Sequence, residues 1–105
     1  MDSKQIAKMN DLLRTTFMTG RVILTIGVQS SPDREEVITA VREFNDFNND
    51  NDPHREHDFG QVIVNDVKYF WKIDYYDEHY EYGVDPYEDD EKVRRVLTIM
   101  RADEY

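Results

Sequence analysis

The densest group of side chains able to hold a metal or move a proton is His54, Glu56, His57 and Asp58. Two imidazoles and a carboxylate fall within the ligand repertoire of zinc. However, His54 and His57 are three residues apart in a predicted loop, and His79 is the only other histidine. No metal or other cofactor is expected. Acid–base chemistry is the second reading. If the hairpin described below continues one step past its last pair, His57 faces Asp74, and a carboxylate beside an imidazole orients it as a general base. Glu56 and Lys72 complete that candidate catalytic set. It lacks a client: no Ser or Thr sits in a nucleophile-elbow context, and there is no Gly-rich phosphate loop. A structural hydrogen bond pinning the hairpin base is the preferred reading of His57 and Asp74, and no catalytic residue is assigned.

Asp46, Asn48, Asp50 and Asp52 alternate like the start of a calcium loop. The sixth position, Asn51, should be Gly and the twelfth, His57, should be Glu. The run reads instead as a helix end dissolving into a turn rich in Asn and Asp, whose short side chains bond the backbone.

The other conspicuous group is acidic. From Asp74 to Glu91 there are nine carboxylates, five tyrosines and no Lys or Arg. Carboxylates this dense repel one another unless solvated or engaged, and tyrosines supply flat contact area with a hydroxyl handle. Asp77, Glu78, Tyr80, Glu81, Tyr82, Asp85, Tyr87, Glu88, Asp89 and Asp90 are the candidate partner-binding residues. The surface they form suits a basic groove on a protein. Arg94, Arg95 and Arg101 form a small basic patch expected to pair internally with carboxylates.

Composition sets the frame. A chain of 105 residues with a formal charge of −10 is one domain, residues 1–105, with one modest core. The acidic balance argues against DNA, RNA or an anionic membrane as a direct ligand. The absence of cysteine excludes disulfides and thiolate chemistry. No signal-peptide core or membrane-length apolar run is present, so the chain reads as a soluble cytoplasmic protein.

The elements that position these groups follow from periodicity. Ser3 is placed to cap a helix with Ile6, Met9, Leu12, Leu13 and Thr16 at helical spacing, ended by Gly20. Arg21 to Val28 is apolar on both faces and reads as a central strand. Ser31-Pro32 starts a second helix with Val37, Ala40, Val41, Phe44 and Phe47 as its stripe, giving out before Pro53. Gly60–Val64 and Val67–Tyr76 read as a hairpin around Asn65-Asp66, two residues that tolerate positive φ. Its register pairs Val64 with Val67, Val62 with Tyr69 and Gly60 with Trp71 on a buried face, and sets Phe70 among Lys68 and Lys72 on the other. Gly83 to Glu91 is a loop. Val93, Val96, Leu97 and Met100 fit a helix, while Val96 to Arg101 fits a strand. The echo of RVILTIGV in RVLTIMRA favours the strand. The expected fold is α+β, a small, mostly antiparallel sheet packed against two helices.

The strings RTTF (14–17), GRVILTIGV (20–28), NDFNNDNDP (45–53), EHDFG (56–60), FWKIDYYD (70–77) and RVLTIMRADEY (95–105) together resemble the bacterial family known as domain of unknown function 3768. The resemblance spans nearly the whole chain. It implies a small bacterial domain often carried on plasmids and other mobile elements, and it supplies no mechanism. The family's polar strings fall here on Asp50, Asn51, Asp52, Glu56, His57, Asp58, Lys72, Asp74, Tyr75 and Asp77. His54 departs from the aromatic usual at its position, and GVDPYEDDE is more acidic than the family's loop.

Three functions fit. The first is an acidic protein-binding inhibitor, such as an anti-restriction or anti-CRISPR factor, that competes with nucleic acid for a basic groove. The second is a small enzyme or ligand-binding domain built around Glu56, His57, Asp58, Lys72 and Asp74. The third is a plain interaction module. Charge and the Tyr–carboxylate stretch favour the first, with a basic, nucleic-acid-binding protein as the partner.

Overall fold

The computed structural model describes residues 1–88 and 92–105. The Asp2 carboxylate accepts the Gln5 amide at 2.9 Å, and the Gln5 side chain accepts the Asp2 amide at 2.9 Å. This reciprocal cap starts α1, Ser3–Thr16, one residue before the expected Ser3. The helix ends at Phe17 rather than Gly20, because Phe17 adopts a left-handed backbone at φ 61° and returns its amide to Leu13. Its buried face is Ile6, Ala7, Asn10, Leu13 and Arg14, whereas Leu12 is exposed. The stripe expected from apolar residues alone is therefore rotated, since two polar side chains find partners inside.

β1, Arg21–Leu24, is followed by a short helix α2, Ile26–Gln29, and by α3, Arg34–Arg42. The segment read as one central strand is thus a four-residue strand and a helical turn. α3 is shorter than expected at both ends. Ser31 Oγ accepts the Asp33 amide at 3.0 Å ahead of it, and Phe44 and Phe47 lie beyond its end yet still pack edge-on to Trp71.

Among the described residues, β1, β2 (Phe59–Val64), β3 (Val67–Tyr76) and β4 (Arg94–Arg101) form one sheet in the order β1-β4-β3-β2. The fold is α+β, with three α-helices among the described residues and a mixed sheet: β4 runs antiparallel to β3 and parallel to β1. β1 lies at an edge, with Ile23 about half exposed. The centre goes to β4, whose Val96, Leu97, Ile99 and Met100 are buried from both sides.

The hairpin has the expected register, Val64 to Val67, Val62 to Tyr69 and Gly60 to Trp71. Asn65 and Asp66 sit at φ 48° and 68°, the positive pair that a two-residue turn requires. One face of the sheet presents Tyr69, Trp71, Ile73, Leu97 and Ile99 to Leu13, Val28, Val37 and Val41 of the helices. The other carries Phe70, tilted against Phe59 and edge-on to Tyr105. A 3₁₀ turn, Ala102–Glu104, ends the chain, and the Glu104 carboxylate accepts from the Thr25 hydroxyl at 2.7 Å and the Gly27 amide at 2.9 Å. Among the described residues, no helix is long and apolar enough to cross a membrane.

Candidate functional site

The polar side chains collect where β2 begins and β3 ends. The loop entering β2 is organised by Asp52, whose side chain is almost fully buried. Asp52 Oδ1 accepts the Glu56 and His57 amides at 3.0 and 3.1 Å. To bring both amides to one oxygen, the chain takes positive φ at Arg55 and His57, 58° and 56°, an unfavourable conformation for residues with a Cβ. The preceding Asp/Asn run is a backbone-bonded turn. Asn48 Oδ1 accepts the amides of Asp50 and Asn51, and Asn51 Oδ1 accepts that of Asn48. Among the described residues, no group of three or more His, Asp or Glu side chains is arranged to hold a metal ion.

His57 does not meet Asp74. The ladder stops at the Phe59–Lys72 pair and one further bond, from the Ile73 amide to the Asp58 carbonyl at 2.8 Å. The left-handed turn at His57 then swings its ring off the sheet. The ring stacks on Phe47 at 3.8 Å, with Nδ1 3.0 Å from both Asp11 carboxylate oxygens and Nε2 3.6 Å from Asp52 Oδ2. Asp74 instead takes Lys72 Nζ at 2.8 Å. Strand alternation places that pair on the sheet face opposite Trp71 and Tyr75. The set Glu56, His57, Asp58, Lys72 and Asp74 is therefore split between two faces.

Glu56 and Asp58 join a second network reaching α1 and β4. Buried Asn10 donates to the Glu56 carbonyl at 2.9 Å and to the Tyr75 hydroxyl at 2.8 Å, and it accepts Arg95 Nε at 2.9 Å. The Tyr75 hydroxyl donates to Asp58 Oδ2 at 3.2 Å. Burial, reinforced by the neighbouring Glu56 carboxylate, raises the Asp58 pKa to about 6, against an opposing hydrogen bond from Tyr75. Tyr75 is also pushed upward, first by burial and then by the charge of Asp58. A carboxyl that exchanges its proton near neutrality, hydrogen-bonded to a phenol, can act as a general acid or base.

The raised pKa has a thermodynamic sign. Asp58 binds its proton more tightly in the folded state, so its favourable contribution is present below its unfolded value near 3.8 and is lost as pH rises through about 6. Asp58→Asn should remove this loss. Chemical denaturation from pH 4 to 7 should show the variant gaining on the wild type as pH rises. Parallel curves would place Asp58 in a solvated environment.

Residues 77–88 of the acidic stretch are folded into this end of the molecule. A bridge between Tyr76 and Gly83 closes a tip in which Asp77 Oδ1 accepts the His79 and Glu81 amides at 3.0 and 2.9 Å. The bond from Glu81, then that from His79, hold the Asp77 carboxyl below its usual range. Tyr80 lies under Arg21, the guanidinium 3.6 Å from the ring centroid, and Tyr87 donates to Glu56 Oε1 at 3.0 Å. Asp85 Oδ1 accepts the Tyr87 amide at 2.8 Å. Asp77 and Tyr80 are half-buried, while Glu78, Glu81, Tyr82, Asp85, Tyr87 and Glu88 are exposed. Asp89 and Asp90 lie outside the described residues. The three arginines do not form a patch. Adjacent Arg94 and Arg95 point to opposite faces of β4, Arg95 is buried on Asn10, and Arg101 pairs with Asp103 at the far end at 2.7 Å.

A family model described as a protein of unknown function, DUF3768, matches residues 20–104. The chain belongs to that family. No curated protein and no solved structure matches it. The DUF3768 match contains the Asp52–Asp58 loop, Tyr75, the acidic loop and Arg95, whereas α1 with Asn10, Asp11 and Arg14 precedes it. These α1 residues are the part of the candidate site that charge and motif reading missed. Their signal was positional: Asn10 and Arg14 follow Ile6 at i+4 and i+8, where a helix buried on that face otherwise carries apolar residues.

Proposed function

We propose that this protein binds a basic, nucleic-acid-binding protein through its acidic loop and excludes nucleic acid from the groove it occupies, as an anti-restriction or anti-CRISPR inhibitor would. The observation that carries the reading is that the loop is shaped while its charge is left outward. Asp77, Asp85, Tyr80 and Tyr87 are used to build and anchor it, while Glu78, Glu81 and Glu88 are exposed, as is Tyr82 at 71%. A preorganised acidic surface competes for the Lys and Arg that otherwise hold phosphate, with little ordering left to do on binding.

Such binding weakens with salt, because exposed charges are screened beyond about 10 Å at an ionic strength of about 0.1 M. The test is capture from a bacterial lysate at low and high salt, followed by competition with nucleic acid for the captured protein. Glu78→Gln, Glu81→Gln and Glu88→Gln combined should slow association by about tenfold and leave dissociation nearly unchanged, as steering charges do. Tyr82→Ala should instead speed dissociation, as loss of a contact anchor does. Full retention of binding by the triple variant, or a partner that nucleic acid fails to displace, would end this reading.

A further inference from the structure

Beside the Asp52–Asp58 loop, the first turns of α1 form one wall of a groove of about 590 Å³, lined by Lys4, Ala7, Lys8 and Asp11 on the helix and by Arg55 and His57 opposite. Its charge is the reverse of the chain's. Lys4, Lys8 and Arg55 all line it, and among the described residues none of the three makes an ion pair or a side-chain hydrogen bond. The carboxylate lining the groove, Asp11, is already engaged by Arg14 at 2.9 Å and by His57 at 3.0 Å. Arg55 is held at the rim by the left-handed backbone that Asp52 imposes.

We propose that this groove binds a phosphorylated metabolite. A phosphate monoester carries close to two negative charges at neutral pH and three acceptor oxygens. Three cations without internal partners match that charge better than they match a carboxylate. The volume is that of a small-molecule site, and Ala7 with the aliphatic stems of Lys4 and Lys8 gives the uncharged body of the ligand an apolar wall.

The experiment is an NMR titration of the ¹⁵N-labelled chain with inorganic phosphate, AMP and adenosine. Inorganic phosphate or AMP should produce saturable shifts at the amides of Lys4, Lys8, Arg55 and His57, and adenosine should produce none. Lys8→Gln and Arg55→Asn should each weaken binding about tenfold. Both side chains are exposed, and Asn accepts the left-handed backbone at position 55, so the spectra elsewhere should stay unchanged. The proposal is overturned if neither anion saturates in the millimolar range, if adenosine matches AMP, if the shifts map elsewhere, or if both variants bind like the wild type.

Discussion

Trp71→Ala should lower the stability of the fold by about 3–5 kcal/mol, the range for removing a large aromatic side chain from a packed core. Trp71 is fully buried and lies at the meeting point of the sheet, α1 and the segment after α3. Phe44 and Phe47 meet its ring edge-on with centroids at 5.5 and 6.1 Å, and the Arg14 guanidinium lies 5.2 Å from its centroid. Across the hairpin it faces Gly60, and a methyl group built there would run into the indole. The ring therefore fills the space of two residues, and alanine would leave a cavity that these neighbours cannot close. Denaturant titration measures the loss. A cost below about 1 kcal/mol would mean that the core collapses freely around the site.

Arg14→Leu should cost about 2–3 kcal/mol, chiefly through two backbone carbonyls rather than through its ion pair. Arg14 is buried, with Nη1 donating to the carbonyls of Val41 and Arg42 at 3.0 and 3.2 Å. These carbonyls belong to the last turn of α3, where helix geometry leaves acceptors unfilled and the dipole favours a cation. Exchanging a buried ion for an apolar residue is sometimes neutral, but here both carbonyls lose the guanidinium, and the Val41 carbonyl is left with the longer 3.3 Å bond from the Phe44 amide. The Asp11 partner is more than a third exposed and adds little. Arg14→Lys should restore only part of the loss, because one ammonium does not reproduce the planar fork. Hydrogen exchange should show the loss concentrated in the last turn of α3. Equal stability of Arg14→Leu and the wild type would show that water serves those carbonyls as well.

What could be read from the residues was what local chemistry determines. Asn65-Asp66 sets the hairpin turn, the turn sets the register, and the register buries Trp71. The echo of RVILTIGV near the end of the sequence favours a strand there, and that segment is β4. Non-local choices were not legible. Arg21 to Val28 looks like a central strand because it is apolar on both faces, yet its strand portion lies at an edge and β4, more deeply buried, takes the inner place. The His57–Asp74 expectation failed for a related reason. Extending a ladder by one step assumes an extended backbone, and nothing in a histidine announces the left-handed turn that the Asp52 carboxylate imposes. Asn10 and Arg14 were passed over because buried polar residues resemble surface ones until their partners, forty or more positions away for Glu56 and Tyr75, are in place.

The position of β4 also bears on how the molecule is made. Of the described strands it is the last in sequence, and it lies between β1 and β3. While the chain is being synthesised, β1 and the β2–β3 hairpin have no common neighbour, and each presents an open edge to other nascent chains. Residue 24 must wait for residue 99 before it has a strand partner, so the sheet closes by insertion rather than by growth from one side. Sequence-distant closure of this kind is slow. The acidic character of the chain then has a use before folding is complete: like-charged nascent chains repel each other during the interval in which their edges are bare.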